Sequence, residues 1–274
     1  MEKDLMSILN AERKSRNALI DVIPALSKLA TAYHSTLEKG GRIALFGAGT
    51  SGRLALLDAA ELPPTFGAHP DTVKAFIAGG IAALSHAQEG AEDDLIDGAR
   101  VASEWGGKEG DLAIGIAASG STPWTLSALE TTKRNGCTTG CISTKQGALS
   151  RVVDHPVVID TGEEWLRGST RMAAASATRS VMVALSTAAF AHTGAVYQNR
   201  MVKVVGTNEK LRLRAQELVR TLGGTTSDEA IALLKSSGGE VDCALVIHHL
   251  GLSPQEARKR LACDGLSKLL GSSS

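Results

Sequence analysis

Twice in this chain a short apolar run stops at a loop of glycines and hydroxyl residues, then resumes as a helical pattern. The first is Arg42-Ile43-Ala44-Leu45-Phe46, which runs into Gly47-Ala48-Gly49-Thr50-Ser51-Gly52. The second is Leu112 to Ala117, which runs into Ala118-Ser119-Gly120-Ser121-Thr122. Runs this short and this apolar fit strands buried on both faces. Three further runs, Val73 to Ile77, Thr138 to Ser143 and Pro156 to Asp160, read the same way. Helical stretches fall between them, near 51–62 (stopped by Pro63-Pro64), 81–89, 94–105 and from Pro123 to about Asn135. Strands alternating with helices predict an α/β fold. Its form is a three-layer, doubly wound, parallel five-stranded sheet of flavodoxin-like type. Ligands on such sheets bind outside the carboxyl ends of the strands, where both loops fall.

The flanks read as helix. Residues 4–38 carry apolar side chains at helical spacing, broken in two at Pro24 and ended by Gly40-Gly41. A long Ala-rich helix is predicted over 169–192 and another over 199–222. Met182-Val183-Ala184-Leu185 is apolar on every side, which points to burial, a subunit interface being one way to achieve it. After a hinge at Gly223-Gly224-Thr225-Thr226, residues 227–271 predict three short helices with Ser227 and Ser253 as N-caps. The expected division is therefore 1–222, a ligand-binding domain with N-terminal helices, and 223–274, a small C-terminal helical appendage.

Charge narrows the partners. Lys plus Arg is 29 and Asp plus Glu is 29, and aromatics are only 3% of the chain. That is neither a nucleic-acid-binding surface nor a base-stacking platform. No apolar run reaches the length of a membrane span, and Met1 to Asn10 lacks the apolar core of a leader. Cys137, Cys141, Cys243 and Cys263 form no C-x-x-C pair, and the seven histidines show no ligand spacing. Free thiols in a cytoplasmic protein without a metal are expected.

The first loop matches G-x-G-x-x-G, but a dinucleotide site also wants an acid ending the next strand. That strand ends Phe76-Ile77-Ala78-Gly79-Gly80. With Gly49, Thr50, Ser51 and Arg53 offering backbone, hydroxyls and a cation at a helix start, an anion or sugar site fits better. The second loop is stronger. Ser119, Gly120, Ser121 and Thr122 bring hydroxyls and N–H groups to a helix opened by Pro123, a phosphate cradle that needs no metal. Either loop alone could be a packing turn or an ordinary N-cap; two on one sheet edge favour a phosphorylated ligand. Glu61 falls at the expected end of the 51–62 helix, where the dipole disfavours a negative charge, a setting that suits a general acid. Glu89, Glu92, Asp93 and Asp94 form an acidic run that also fits the first turn of the next helix, and spacing alone does not choose among them.

Longer blocks carry a resemblance. Gly47-Ala48-Gly49-Thr50-Ser51-Gly52-Arg53, Leu57-Asp58-Ala59-Ala60-Glu61-Leu62-Pro63-Pro64-Thr65-Phe66-Gly67 and Ile77-Ala78-Gly79-Gly80 are three of them. Glu89-Gly90-Ala91-Glu92-Asp93, Gly115-Ile116-Ala117-Ala118-Ser119-Gly120, Gly168-Ser169-Thr170-Arg171-Met172 and Thr207-Asn208-Glu209-Lys210-Leu211 follow in order. Together they resemble the N-acetylmuramic acid 6-phosphate etherases of the sugar-isomerase (SIS) fold. The resemblance implies a lyase that cleaves the D-lactyl ether of N-acetylmuramic acid 6-phosphate, giving N-acetylglucosamine 6-phosphate and D-lactate. It implies Glu61 and Glu92 as the acid–base pair, with Glu92 the base at C2 and Glu61 the acid at the lactyl oxygen. It extends the binding set to Glu164, Ser169, Thr170, Arg171 and Asn208, with no cofactor, in a homodimer whose site lies between subunits. The family pattern has Arg where Ser121 stands, Cys-Asn-Pro-Gly where Thr144-Lys145-Gln146-Gly147 stands, and Lys where Ala173 stands. Lys145 and Arg167 are the cations gained nearby, and Lys145 joins the binding set. Two alternatives share the fold: a non-catalytic sugar-phosphate sensor like the glucokinase regulatory proteins, and an aldose–ketose isomerase. A DNA-binding regulator of this fold is not expected, since residues 1–40 read as no basic helix-turn-helix segment.

Overall fold

Five parallel strands form where the apolar runs predict them: β1 (Ile43–Gly47), β2 (Val73–Ile77), β3 (Leu112–Ile116), β4 (Thr138–Ser143) and β5 (His155–Val158). The computed structural model describes residues 1–204 and 209–271. The strand order is β2-β1-β3-β4-β5, all in parallel register, the flavodoxin-like arrangement expected from the sequence. β1 and β3 are buried at every position, which is why they read as unbroken apolar runs. Contacts divide the chain into two units. One is Met1–Ala60 with Pro70–Ala189, and the other is Glu61–His69 with the residues from Phe190 onward.

In the first unit the helices are α1 (Glu2–Ser15), α2 (Ala18–Asp21), α3 (Ile23–Glu38), the start of α4 (Gly49–Phe66), α5 (Leu95–Trp105), α6 (Pro123–Arg134), α7 (Ala148–Val152) and α8 (Ala173–Phe190). One sheet face presents Ala44, Phe46, Ala113, Ala117 and Cys141 to Trp105, Trp124, Ala128, Leu129 and Leu149. Phe46 stacks on Phe76 with centroids 5.1 Å apart and meets Trp105 and Trp124 at 6.1 Å. In a chain so poor in aromatics, these rings gather in one cluster, each pair adding about 0.5–1.5 kcal/mol beyond burial. On the other face Leu29 of α3 lies so close to β4 that a Cβ at Gly140 would stand 2.6 Å from it. Asp111, 2% exposed, accepts from the Arg42 backbone N–H (2.7 Å) and from its guanidinium (2.8 Å), fastening β1 to β3 at their amino ends.

Several boundaries differ from the sequence expectation. The N-terminal helical run breaks around Arg16-Asn17 and at Val22; Pro24 instead sits in the first turn of α3, where its missing N–H costs nothing. The predicted helix over 81–89 shrinks to a 3-10 turn at Ile81–Leu84, after Gly79 and Gly80 at positive φ. α4 does not stop at Pro63-Pro64. It runs through both to Phe66 and ends there, where the Pro63 carbonyl accepts from the Gly67 N–H (3.0 Å) and Gly67, at φ +67°, takes the left-handed position that closes a helix. α8 starts at Ala173 rather than 169 and loosens into a π-type turn over Ala191–Ala195, with Gly194 at φ +83°. Met182 and Leu185 are buried within the chain, so the apolar excess of α8 is largely absorbed there.

The second unit opens with an antiparallel hairpin, β6 (Val196–Tyr197) and β7 (Arg200–Met201), where a helix from 199 is expected. Gln198 and Asn199, both left-handed at φ +47° and +56°, form its two-residue turn. Then come α9 (Glu209–Gly223), α10 (Ser227–Ser236), α11 (Val241–Leu250), α12 (Pro254–Asp264) and α13 (Leu266–Leu270), four helices among the described residues after 226 rather than three. Ser253 caps α12 as expected, with Glu256 completing the capping box. α10 is capped by Thr226, not Ser227, because Glu229 stands three residues after Thr226 and closes that box. Val219, Ala230, Val241, Leu245 and Ala257 form the core of this unit.

Candidate functional site

The β1 loop is set by close approach. A Cβ at Gly52 would fall 2.6 Å from Ile77 Cγ1 and 2.7 Å from the Gly47 carbonyl oxygen, so α4 starts hard against the sheet. Its first turn leaves Gly49 and Thr50 exposed and Ser51 half-buried at the carboxyl end of β1. Arg53, half-buried, donates from Nε to the Leu84 carbonyl (3.1 Å) and so ties the β2 loop to α4.

The β3 loop is more elaborate. Gly120 stands at φ +70°, and its N–H returns to the Ala117 carbonyl (2.9 Å). The Ser119 hydroxyl accepts from the Ser121 N–H (3.2 Å) and lies 3.4 Å from the Thr122 hydroxyl. Thr122 occupies the N-cap of α6, yet its side chain makes no cap hydrogen bond. An ordinary capping threonine would spend its oxygen on the helix; here two neighbouring hydroxyls stand at the positive end of a 12-residue helix. The loop is also locked to the segment after β4. Leu149 N–H donates to the Gly120 carbonyl (2.9 Å), Ala148 N–H to Ser121 Oγ (3.3 Å), and Thr144 N–H and hydroxyl to the Ala118 carbonyl (3.2 and 3.0 Å). Lys145, exposed, rides on that locked segment, its carbonyl held by the Ser143 hydroxyl (3.0 Å).

The two glutamates belong to different units. Glu92 is exposed in a 3-10 turn, Ala91–Asp93, between β2 and α5. Of the acidic run, Asp94 is the one that caps α5, accepting from the Asp97 N–H (2.9 Å). Glu61 is exposed on α4 and counts with the second unit. Since α4 continues to Phe66, Glu61 is not in its last turn, and the helix-end setting expected for it is absent. On the segment before α8, Glu164 Oε1 accepts from the N–H groups of Met172 (3.3 Å) and Ala174 (3.1 Å), and the Ser169 hydroxyl accepts from the Arg171 N–H (3.2 Å). Thr170 and Arg171 are placed on the same segment, and exposed Arg167 pairs with Glu163 at 3.7 Å. Asn208 lies outside the described residues.

Two further residues, Asp97 and Trp124, link the start of α5 to the start of α6. Trp124, fully buried in the first turn of α6, donates its indole N–H to Asp97 Oδ2 (2.7 Å). That hydrogen bond, with those from Arg100, holds the Asp97 carboxyl below the usual carboxylate range. The faint signal in the sequence is an indole directly after Pro123, since a buried Trp wants an acceptor. A cavity of about 740 Å³ runs along β2 and α5, lined by Lys74, Phe76, Asp97, Arg100 and Trp105, and no residue of the Ser119–Thr122 loop lines it. Among the described residues no three His, Cys, Asp or Glu side chains gather as a metal site, and no helix is long and apolar enough to cross a membrane.

Residues 25–133 match the family model described as the glucokinase regulatory protein N-terminal SIS domain. The chain is 42% identical to the N-acetylmuramic acid 6-phosphate etherase of Geobacillus thermodenitrificans over 263 residues, which cover 94% of this chain and 88% of that protein. It is 44% identical to the etherase of Deinococcus radiodurans over 239 residues, 87% of this chain and 78% of that one. Among solved structures, a ligand complex of an E. coli protein superimposes with a TM-score of 0.52 at 18% identity, over 73% of this chain and 96% of that one. That likeness concerns the fold alone.

Proposed function

The chain belongs to the N-acetylmuramic acid 6-phosphate etherase family, and from that premise we propose that it is a carbon–oxygen lyase acting on N-acetylmuramic acid 6-phosphate. The products are N-acetylglucosamine 6-phosphate and D-lactate. The observation that carries the phosphate half of this reading is the Ser119–Thr122 loop. Its hydroxyls are not committed to capping α6, and the helix dipole favours an anion beside them. Gly49, Thr50, Ser51 and Arg53 serve the sugar from the neighbouring β1 loop, with Ser169, Thr170, Arg171, Glu164 and Asn208 completing the binding set. Lys145, carried by the segment locked to the cradle, supplies a cation to it.

The chemistry needs an acid and a base and no redox step. In the ring-opened sugar the C1 aldehyde acidifies the C2 proton. Glu92 takes that proton, the C3–O bond breaks, and Glu61 protonates the departing lactyl oxygen. The product is an α,β-unsaturated aldehyde. Glu61, now a carboxylate, removes a proton from water as its oxygen adds at C3, and Glu92 returns its proton to C2. Exposed Leu57, Ile81, Leu84, Leu95 and Ile96 support a homodimer, being an apolar set that its own unit leaves uncovered.

A second reading, a non-catalytic sugar-phosphate regulator, is favoured by the family-model match. Both readings predict phosphosugar binding; only the first needs the two glutamates. Lactate release from N-acetylmuramic acid 6-phosphate, measured on the parent, Glu61→Gln and Glu92→Gln, separates them. The etherase reading expects release by the parent and a loss on the order of 10²-fold or more in each variant. Binding without release by the parent would establish the regulator instead.

A further inference from the structure

A base at C2 and a phosphate on C6 sit at opposite ends of one substrate. An elimination therefore needs the Glu92 carboxylate at a fixed distance from the cradle, and an error near 1 Å is costly. The two ends are borne by different elements: the cradle opens α6, and Glu92 precedes the Asp94 cap of α5 by two residues. What joins them is a small set of hydrogen bonds. Trp124 Nε1–H donates to Asp97 Oδ2 (2.7 Å), and the Ser127 hydroxyl donates to the Leu95 carbonyl (2.7 Å). The backbones touch there too, since a Cβ at Gly98 would stand 2.2 Å from the Trp124 carbonyl oxygen.

Each partner is itself held. Trp124 has no solvent exposure and packs against Phe46, so its indole N–H points from a fixed place. Asp97 uses its other oxygen, Oδ1, for the Arg100 guanidinium (2.6 and 3.2 Å), and its backbone N–H goes to the Asp94 side chain that caps α5. From Asp94 the chain leads straight back through Asp93 to Glu92. Helix packing alone calls for apolar contact at such a crossing; a hydrogen bond from a fully buried indole to a half-buried carboxylate sets direction as well as distance.

We propose that Asp97 and Trp124 are positioning residues, whose hydrogen bond registers the Glu92 turn against the phosphate cradle at the start of α6. The inference rests on the reading of Glu92 as the base at C2. The test uses the full-length protein and the variants Trp124→Phe, Asp97→Ala, their double and Asp97→Asn. For each, kcat, KM for N-acetylmuramic acid 6-phosphate, solvent-deuterium entry at C2 and the melting temperature are measured. Either single variant is expected to lose about tenfold in kcat and in C2 exchange with KM within about twofold, because phosphate binding is untouched. The double is expected to lose about tenfold, not a hundredfold, since both changes remove one hydrogen bond. Asp97→Asn keeps an acceptor for the indole and is expected near the parent rate, whereas a role for the charge alone would lose it. Unchanged kcat in folded Trp124→Phe or Asp97→Ala, with Glu92→Gln inactive, overturns the inference and leaves the assignment of the base standing. A melting temperature that falls while kcat holds has the same meaning. Full activity in Glu92→Gln overturns the base assignment, and the inference with it.

Discussion

Gly120→Ala is the substitution on which the construction of the cradle can be measured. Gly120 stands at φ +70°, and a Cβ there would meet the Lys145 carbonyl oxygen at 2.4 Å and the Gly147 nitrogen at 3.2 Å. The left-handed backbone costs an alanine roughly 1–2 kcal/mol. The overlap requires a shift of about 1 Å in a segment fixed by the Gly120–Leu149 and Ser121–Ala148 hydrogen bonds, an overpacking cost of about 1–3 kcal/mol. Together these come to roughly 2–5 kcal/mol, or a fall in melting temperature of about 4–10 °C for a chain of this size. Gly162 supplies the control: its φ is +69° and nothing lies within 4 Å of a built Cβ, so Gly162→Ala carries the backbone cost alone, about 1–2 kcal/mol. The assay is calorimetric melting of both variants beside the parent, with the Michaelis constant for N-acetylmuramic acid 6-phosphate as the second readout. Equal shifts in the two variants would refute the lock between the Ser119–Thr122 loop and the segment after β4, and an unmoved Michaelis constant in Gly120→Ala would refute the proposal that this loop holds the phosphate.

Two predictions follow from side chains at the surface and in the core. Lys145→Ala is expected to raise the Michaelis constant about tenfold, roughly 1.4 kcal/mol, while Arg167→Ala, whose side chain is 87% exposed and paired with Glu163, leaves it unchanged; steady-state kinetics on both variants decides, and equal effects would remove Lys145 from the site. Burial pushes the Cys137 and Cys141 thiols up to about 11 and also raises Cys243, whereas Cys263 is exposed. A thiol reagent at a pH of about 8 is therefore expected to modify Cys263 alone in the native protein, with the other three reacting only after denaturation.

Much of this fold is local and so was legible along the chain. The five strands could be read because a parallel strand buried on both faces leaves an unbroken apolar run, as Ile43 to Phe46 and Leu112 to Ile116 do. The two loops could be placed because glycines and hydroxyls stand directly between an apolar run and a helical pattern, and the Ser253–Glu256 cap because its partners are three residues apart. What the sequence could not supply depends on groups brought together from far along it. Pro63 and Pro64 look like a stop by local rules, yet α4 carries both and closes only at Gly67. Residues from 199 onward read as helix until Gln198 and Asn199 are seen left-handed at the turn of a hairpin. Glu92 cannot be chosen from its acidic neighbours by spacing, and only the fold assigns the capping role to Asp94. The bond from Trp124 to Asp97 spans 27 residues and the lock of Ser121 on Ala148 another 27. Sequence alone thus determined the five-stranded parallel sheet and which glycines, hydroxyls and acids fall on the loops at its carboxyl edge. Tertiary structure decided how those loops are held in register, because hydrogen bonds between distant segments exist only once the sheet and its helices have closed around them.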